Sequence, residues 1–291
     1  MTVVVVGSIN ADLVLTGERI PAPGETRAMH SLAQLQGGKG ANQAAAAASL
    51  GADVRLIAAT GDDAAGRTAR ADLEGIGVDV AGVSIVEAPT GLAVIMVDDD
   101  AENSIAIVPG ANSLLGPAAV ETAIRDIAAE SAVLVLSLEI PMPAVVAAAT
   151  AGRRRGWRVI LNPAPAAPLP PELLAACDVV TPNVGEAAEL GGAEALLAAG
   201  AQTVVVTRGP DGADLHQAHE TVRLPVVAAD AVDTTGAGDA FTAGLAVALD
   251  AGADMRDAVG VALAAGAIAT EAPGARGSLP TAAAVDARKP A

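Results

Sequence analysis

Short apolar runs recur along the chain, and they predict buried β-strands. The first is the run of four valines at residues 3–6, directly before the polar sequence GSINAD. A continuous β-branched run, without alternation of polar and apolar residues, is typical of a parallel strand that is buried on both faces. Similar runs occupy residues 54–59, 133–137, 159–161, 179–181 and 203–207.

Alanine-rich stretches lie between several of these runs and predict helices. They span residues 40–50, 64–73, 118–129 and 143–154, and two longer helices are predicted at 237–251 and 255–270. Strand, helix and strand at this spacing give right-handed crossovers on a mostly parallel sheet with helices on both faces. We therefore predict an α/β fold in one domain over residues 1–291.

Two segments break this rhythm, residues 12–36 and residues 89–110. Each contains short extended pieces and turn sequences with Pro, Gly and Asp, such as IPAPGET and VDDDAENS, and shows little helical periodicity. Both are too long for simple crossovers. They predict a small β-sheet that stands off the main sheet as a lid.

Composition argues against several classes of function. The formal net charge is −17 and the only aromatic residues are one Trp and one Phe, whereas nucleic-acid binding needs basic surfaces and stacking side chains. The single cysteine, Cys177, excludes an internal disulfide. The N-terminal sequence MTVVVVGSIN has no basic lead, and no apolar tract is long enough for a membrane span. We expect a soluble, cytoplasmic protein.

Polar motifs follow five of the predicted strands. They are GSINAD after the first strand, LE at residues 138–139, NPAPA after residue 161, TPNVGE after residue 180 and TRGPDG after residue 206. In open α/β sheets, ligands bind beyond the carboxyl ends of the strands. The five motifs therefore predict several walls of one pocket.

The glycine-rich sequence GGKGANQ, residues 37–43, does not fit the known phosphate-loop patterns. A Walker loop needs Gly, four residues and then Gly-Lys-Ser/Thr, but Lys39 is followed by Gly40 and position 33 is Ala33. Two interpretations remain open. The sequence is a plain turn before a helix, or its glycines admit a ligand close to the backbone while Lys39 and Asn42 donate hydrogen bonds to hydroxyl groups.

The sequence DTTGAGDAF, residues 233–241, also has two interpretations. In one, Asp239 is an ordinary residue in the first turn of a helix. In the other, the turn Gly236, Ala237 and Gly238 lets backbone N–H groups face a bound anion, and Asp239 is a base beside it.

Together, and in order along the chain, the motifs GSINAD, PGET, GGKGANQA, TGDDAAG, NPAPA, TPNVGE and DTTGAGDAF resemble the ribokinase family of sugar and nucleoside kinases. This resemblance implies a ribokinase-like three-layer fold and ATP-dependent phosphorylation of D-ribose at its 5-hydroxyl. The nearest alternative is another sugar or a nucleoside as acceptor. A sugar-binding sensor without catalysis is a more remote one, and a dinucleotide-dependent dehydrogenase lacks its glycine fingerprint.

The resemblance also implies the roles of individual residues. Asp239 matches the catalytic base of the family, and Gly236, Ala237 and Gly238 match its anion hole. The residues that match the sugar site are Asn10, Asp12, Gly38, Lys39, Asn42, Glu139 and Asp239. Such hydrogen-bonding groups suit a polyhydroxyl ligand, because an unpaired hydroxyl is costly to bury.

Nucleotide and metal sites follow from the same resemblance. The residues that match the ATP site are Asn183, Thr207, Arg208, Gly209, Pro210, Asp211, Gly212 and Gly238. Asn183 and Glu186 match an N-x-x-E motif that helps to hold Mg²⁺, although their spacing also fits a helix capping box. The residues that match a site for K⁺ or a similar activating cation are Asp233, Thr235, Thr270, Pro273, Gly274 and Ser278; a plain loop is the alternative.

Two residues depart from the pattern of the family, and one strand bears on assembly. Leu263 stands where a polar residue near adenine is common, and Arg276 stands in the cation loop where Gln is common. The guanidinium of Arg276 could replace the bound ion. The family often forms a homodimer through the lid, and Val94 and Ile95 could face the pocket and the dimer partner in either order.

Overall fold

The structure, a computed structural model, describes residues 2–100 and 102–289. Its strands are β1 (Thr2–Val6), β2 (Asn10–Thr16), β3 (Ser31–Gly37), β4 (Asp53–Gly61), β5 (Val78–Asp79), β6 (Val83–Val86), β7 (Gly91–Val97), β8 (Asn103–Val108), β9 (Val133–Ser137), β10 (Arg158–Asn162), β11 (Val179–Val180), β12 (Thr203–Thr207), β13 (Ala213–Gln217) and β14 (Glu220–Leu224). Its α-helices are α1 (Lys39–Ser49), α2 (Ala64–Ile76), α3 (Pro117–Asp126), α4 (Met142–Arg154), α5 (Pro171–Ala176), α6 (Val184–Glu189), α7 (Ala193–Ala198), α8 (Ala237–Asp250), α9 (Met255–Ala269) and α10 (Ala282–Asp286).

The main sheet contains ten strands in the order β14-β13-β12-β11-β10-β9-β1-β4-β5, with β6 also paired to β4. The strands from β12 to β5 run parallel, as the sequence predicts. At one edge, β13 and β14 form an antiparallel hairpin that the sequence analysis did not predict. Their sequences, ADLHQ and ETVRL, mix polar and apolar residues and contain no apolar run.

The four valines of β1, residues 3–6, are buried on both faces of the sheet. Val3 and Val5 pack in one core cluster with residues of α1, α8 and α9, whereas Val4 and Val6 pack in a second cluster with residues of α3 and α4. Successive side chains of a strand point to opposite faces, so a strand covered on both faces needs apolar residues at every position. The predicted three-layer α/β fold is confirmed.

The abundance of alanine and glycine allows close packing of the last two long helices. A Cβ atom at Gly244 of α8 would lie 2.9 Å from the Cβ of Ala265 on α9, so a larger residue would push the helices apart. Leu263 lies on α9 and is buried in the same core cluster. In the part of the chain that the structure describes, none of the helices has the length and apolar character needed to cross a membrane.

The second sheet has four strands in the order β3-β2-β7-β8, drawn from the two predicted lid segments and their immediate flanks. The predicted small sheet is therefore confirmed. Asp12 on β2 pairs with Ala93 on β7, and side chains alternate between faces, so Ile95 shares the face of Asp12. Val94 lies on the opposite face. The sequence analysis left open which of these two residues lies on which face of the lid, and the strand pairing answers that question.

Candidate active site

The predicted motifs meet at the carboxyl ends of the parallel strands. A cavity of about 200 Å³ lies there. Its lining includes Lys39, Asn183, Glu186, Thr207, Gly236, Gly238 and Asp239. Residues at or after the ends of β10, β11 and β12, together with the starts of α1 and α8, therefore line one cavity.

Asp239 lies in the first turn of α8 and is buried, with 7% of its surface exposed. Its Oδ2 accepts a hydrogen bond from Nδ2 of Asn42, and its Oδ1 accepts one from Nε2 of Gln43, both at 3.0 Å. Burial raises the pKa of this carboxyl, while Lys39 and the bond from Asn42 oppose the rise. The carboxylate is thus oriented by two amides and is more basic than an exposed aspartate.

The turn before Asp239 leaves backbone donors free. Gly236 has φ of 80°, and a Cβ atom there would lie 2.7 Å from the Cα of Ala275, so the position requires glycine. The N–H of Ala237 donates to the carbonyl of Thr234 at 3.2 Å. Among the described residues, no acceptor pairs with the N–H of Gly238 or of Asp239. These two donors stand at the positive end of the α8 dipole, where an anion would be stabilised.

Asp12 and Asn10 lie on β2 of the lid and are not among the residues that line this cavity. Burial, and next the charge of Glu139, raise the pKa of Asp12 to about 6, against the opposing effect of Arg276. Oδ1 of Asp12 is buried, and it accepts no hydrogen bond within the described part of the chain. Buried polar atoms in proteins almost always have a partner, so this oxygen is suited to accept a bond from a ligand.

The glycines of GGKGANQ are required by close contacts. A Cβ atom at Gly37 would lie 2.0 Å from Oδ2 of Asp12. Gly38 has φ of 87°, and a Cβ atom there would lie 2.7 Å from the backbone nitrogen of Asn10. The turn therefore packs directly against the start of β2, which brings Lys39 and Asn42 to the residues of the lid.

Glu139 is held next to Lys39 by hydrogen bonds to one of its carboxylate oxygens. The hydroxyl of Ser8 and the backbone N–H of Lys39 both donate to Oε2 of Glu139. Burial lowers the pKa of Lys39, but the carboxylates of Asp239 and Glu139 outweigh it and raise the pKa overall. Lys39 therefore stays a cation inside the site.

Asn183 and Glu186 form the capping box of α6. The N–H of Glu186 donates to Oδ1 of Asn183, and the N–H of Asn183 donates to Oε2 of Glu186, both at 2.9 Å. Oε1 of Glu186 makes no hydrogen bond to the described residues, and burial raises the pKa of this carboxyl. Within residues 2–100 and 102–289, no group of three or more His, Cys, Asp or Glu side chains is arranged to hold a metal ion.

The predicted nucleotide segment lies at the end of β12. Thr207 lines the cavity, and Gly209–Asp211 form one turn of 3-10 helix. The guanidinium of Arg208 lies 3.3 Å from Asp214 on β13, which also binds Arg223 at 2.7 Å. Arg208 is therefore held by the hairpin that the sequence analysis missed.

In the predicted cation loop, Asp233 is fixed by backbone and hydroxyl donors. Its Oδ1 accepts from the N–H and the hydroxyl of Thr235, and its Oδ2 accepts from the N–H of Gly274 at 2.7 Å. The guanidinium of Arg276 donates instead to Asn42, Gly37 and Asp72. The expectation that Arg276 could replace an ion at Asp233 is wrong, because its side chain is turned away from Asp233, towards α1 and α2.

Sequence reasoning missed three residues that hold the predicted ones in place: Gln43, Ser8 and Asn112. Asn112 lies in the 3-10 turn after β8 and is 1% exposed. Its Oδ1 accepts the N–H of Ile9 at 3.0 Å, and its Nδ2 donates to Oδ1 of Asn10 at 2.8 Å and to the carbonyl of Ile9 at 3.0 Å. Among the described residues, Nδ2 of Asn10 has no hydrogen-bond partner and is available to a ligand. Gln43 stands inside a motif already quoted, but no local sequence signal marks Asn112.

Comparison with known proteins agrees with this geometry. The model of the family described as "pfkB family carbohydrate kinase" matches residues 1–282. The chain belongs to this family. The prediction of a carbohydrate kinase is thereby confirmed.

Individual pfkB family members are similar over nearly their whole length. A ribokinase from Haemophilus influenzae is 38% identical over 96% of this chain and 95% of its own. The crystal structure of a ribokinase from Thermotoga maritima has a TM-score of 0.88 and 34% identity, and covers 99% of this chain and 98% of its own. The structure of Arabidopsis thaliana ribokinase complexed with ribose and ATP has a TM-score of 0.86 and 34% identity, over 98% and 97%.

Proposed function

We propose that the protein transfers the γ-phosphoryl group of ATP to the 5-hydroxyl of D-ribose and releases D-ribose 5-phosphate and ADP. One observation carries the proposal: the buried carboxylate of Asp239 lies beside free N–H groups at the start of α8. A base next to an anion site is what phosphoryl transfer to a hydroxyl requires. Similar proteins named ribokinase, one of them in complex with ribose and ATP, support this acceptor.

Asp239 is proposed as the base. It takes the proton of the sugar hydroxyl while the oxygen forms a bond to the γ-phosphorus and the bond from that phosphorus to the β-phosphate oxygen breaks. Asn42 and Gln43 hold the carboxylate in one orientation. The raised pKa of Asp239 improves its ability to accept a proton near neutral pH.

Backbone donors and Lys39 are proposed to stabilise the charge that develops during transfer. The N–H groups of Gly238 and Asp239 face the position of an anion, and the α8 dipole acts in the same direction. Such preorganised donors stabilise the transition state more than the ground state, so they raise kcat. Gly236 and Ala237 contribute the backbone turn that exposes them.

Sugar hydroxyls are proposed to bind among Asn10, Asp12 and the glycine turn. Asp12 offers a buried acceptor oxygen without a partner, and Asn10 offers the amide donor that Asn112 leaves free. A site with such unpaired groups selects a hydroxylated ligand, since an analogue that lacks the hydroxyl leaves them unsatisfied. The other proposed sugar contacts are Gly38, Lys39, Asn42 and Glu139.

ATP is proposed to lie along the end of β12, with its phosphates towards Gly238 and Asn183. The segment concerned is Thr207, Arg208, Gly209, Pro210, Asp211 and Gly212. Thr207 and Asn183 line the same cavity as Asp239, which would place the phosphates next to the sugar hydroxyl.

The oxygen donors near the phosphates fit Mg²⁺, which prefers hard ligands and keeps much of its water. Asn183 and Glu186 are the proposed residues, and Oε1 of Glu186 is the oxygen that their capping box leaves free. When bound with ATP, Mg²⁺ supplies neutralisation of phosphate charge. Burial raises the pKa of Glu186, although the nearby cation Lys39 opposes the rise.

A monovalent cation such as K⁺ is proposed as an activator, and the donor set that would hold it is made of oxygens. The proposed residues are Asp233, Thr235, Thr270, Pro273, Gly274 and Ser278. Burial raises the pKa of Asp233, but donors from Gly274 and Thr235 outweigh it and lower the pKa, so the carboxylate stays ionised. Thr270 is the weakest candidate, because its carbonyl already accepts the N–H groups of Val232 and Asp233.

Exchange of K⁺ for a bulky organic cation at constant ionic strength tests the cation site. Gly236 packs on Ala275, so a change in this loop would alter the anion site. Without K⁺, kcat should therefore fall, and KM should change less. Asp233→Ala should blunt the response. Equal rates in both salts would remove the cation from the proposal.

A homodimer through the lid is the final part of the proposal. The face opposite Asp12 carries Leu32, Val94 and Val108, and Leu32 and Val108 are 60% and 53% exposed. Exposed apolar patches of this kind mark contact surfaces. Light scattering should show a dimer that Leu32→Lys converts to a monomer; a monomer in the unaltered protein at micromolar concentration contradicts it.

A coupled kinase assay across pentoses, hexoses and nucleosides tests the acceptor. D-ribose should have the highest kcat/KM, with 2-deoxyribose and adenosine clearly lower. Equal or better use of adenosine would overturn the proposed acceptor and leave the pfkB family membership intact.

A further inference from the structure

Arg276 lies in the loop after α9, and its side chain reaches three other elements. Its Nη1 is 2.7 Å from Oδ2 of Asp72 on α2, its Nε is 3.1 Å from Oδ1 of Asn42 on α1, and its Nη2 is 3.4 Å from the carbonyl oxygen of Gly37. Only 9% of the side chain is exposed. A buried guanidinium with acceptors on three sides is held in one geometry.

The bond from Nε determines which way the Asn42 amide faces. An amide accepts through its oxygen and donates through its nitrogen, whereas a guanidinium only donates and a carboxylate only accepts. Oδ1 of Asn42 must therefore face Arg276, and Nδ2 must face Asp239. The flipped amide would place two donors together on one side and two acceptors together on the other.

We propose that Arg276 is a positioning residue for phosphoryl transfer, which it serves by fixing the Asn42 amide and thereby the Asp239 carboxylate. This inference rests on the proposed function. Gln43 holds one oxygen of Asp239, and Asn42 holds the other. Without the second bond the carboxylate can rotate, and a base that leaves its productive geometry loses much of its effect.

Arg276 also brings positive charge into an acidic pocket. The charged groups near Arg276 are Asp72 on α2, Asp12 on β2 and Asp239 on α8, and Glu139 after β9 also lies near Asp12. Lys39 on α1 lies near Glu139 and Asp239. The charge of Arg276 opposes the burial that raises the pKa of Asp12. Loss of that charge should let the pKa of Asp12 rise further, so that sugar binding weakens at a higher pH.

Substitutions at position 276 separate the two roles of Arg276, its hydrogen bond to Asn42 and its positive charge. In Arg276→Gln, Nε2 is the same number of bonds from Cα as Nε of arginine, so the donor to Asn42 is kept and the charge is lost. In Arg276→Lys the charge is kept, but a methylene replaces that donor. Arg276→Met loses both. Arg288→Met is the matched control, because it removes an arginine paired with Glu271 at the surface.

The experiment measures kcat and kcat/KM across pH with the sugar that the unaltered protein phosphorylates best. Arg276→Met should lower kcat by about 10- to 100-fold, the scale expected for a misplaced catalytic group, and move the acid limb of kcat/KM to higher pH. Arg276→Gln should move the acid limb and keep most of kcat. Arg276→Lys should lower kcat and leave the acid limb in place.

Equal losses of kcat in the three variants, with the acid limb unmoved, would show that Arg276 only ties the loop to the domain and would overturn the inference. Thermal melts establish that each variant is folded. NMR supplies readouts that need no activity: the side-chain amide signal of Asn42 should shift in the Lys and Met variants, and the titration midpoint of Asp12 should rise in the Gln and Met variants. If the unaltered protein phosphorylates no sugar, the proposed function fails, while these signals still decide the inference.

Discussion

The main sheet and the lid are both rich in apolar residues but differ in how far these are buried. Val3, Val4, Val5 and Val6 of β1 have no exposed surface, because helices cover both faces of the main sheet. On the lid, Ile105 and Ile107 of one strand are 54% and 50% exposed. A close-packed core holds one arrangement, whereas a sheet with uncovered apolar residues gains less from burial. The proposed base therefore stands on the rigid main part, whereas two of the proposed sugar contacts, Asn10 and Asp12, stand on the less tightly packed lid.

The carboxylates on the two parts differ in the same way. Both oxygens of Asp239 accept amide donors, whereas one oxygen of Asp12 has no partner among the described residues. The lid thus carries a buried charge that a sugar hydroxyl would satisfy. A hydroxyl that donates to this oxygen would stabilise the charged form of Asp12.

The largest effect is expected at the rigid part. Asp239→Asn keeps the size of the side chain but cannot accept the proton, so kcat should fall by roughly 10²–10⁴-fold, the usual contribution of a general base. The KM for ribose should change much less. Steady-state kinetics on a variant with unaltered melting behaviour measures this, and retention of more than half of kcat would exclude Asp239 as the base.

A matched pair of leucines tests the difference in packing. Leu134 on β9 is fully buried, and Leu32 on β3 is 60% exposed. Leu134→Ala should lower the free energy of unfolding by about 2–5 kcal/mol, and Leu32→Ala by less than about 1 kcal/mol. Urea unfolding at low protein concentration compares the two. A cost of Leu32→Ala that grows with protein concentration would indicate that a second copy covers the lid.

Asp12→Asn should affect binding and stability in opposite directions. Loss of a charged acceptor should raise the KM for ribose by about 10- to 100-fold. Without ribose, the variant should be more stable by about 2–3 kcal/mol at pH well above 6, because each unit of raised pKa is about 1.4 kcal/mol of unfavourable charge. Urea unfolding with and without ribose measures both effects. Lower stability of the substrate-free variant would contradict the prediction.

The smallest effect is the pH dependence of the unaltered protein. Asp12 has a pKa of about 6 in the folded protein, and an ordinary aspartate has a pKa of 3.8, so the folded state binds more protons than the unfolded state between these values. Stability contributed at this residue should therefore rise as pH falls through 6, while ribose affinity should fall by about tenfold per pH unit below 6. Calorimetric titration of ribose across pH measures it; constant affinity down to pH 5 would leave ionised Asp12 without its proposed role.

Local sequence patterns predicted most of the fold. Strands β9 and β12 have the predicted bounds, and helix α8 ends within one residue of its prediction, because the strands have apolar centres and the helix is rich in alanine and other apolar residues. The hairpin of β13 and β14 was missed. Both strands have a mixed pattern, so their pairing depends on their neighbours, β12 for β13 and β13 for β14, rather than on their own residues.

The site residues also differ in whether the local sequence could predict their roles. The turn at Gly236 could be predicted from the sequence. A backbone with positive φ and a close neighbour requires glycine, so the glycine itself marks the turn. The bond from Asn112 to Asn10 joins residues 102 positions apart, and the bond from Arg276 to Asn42 joins residues 234 positions apart. Periodicity and motif spacing extend over a few residues, so they contain no information on such pairs.

The sequence by itself therefore determined the parallel strands, the helices, the glycine turns and the set of polar motifs at the strand ends. Its apolar periods and turn residues act locally, through backbone geometry and burial. Only the tertiary structure decided that Gln43 and Asn42 share the two oxygens of Asp239 and that Arg276 faces Asn42 instead of Asp233. Those contacts depend on how α1, α8 and the loop after α9 pack together, because a hydrogen bond forms only where packing brings donor and acceptor within about 3 Å.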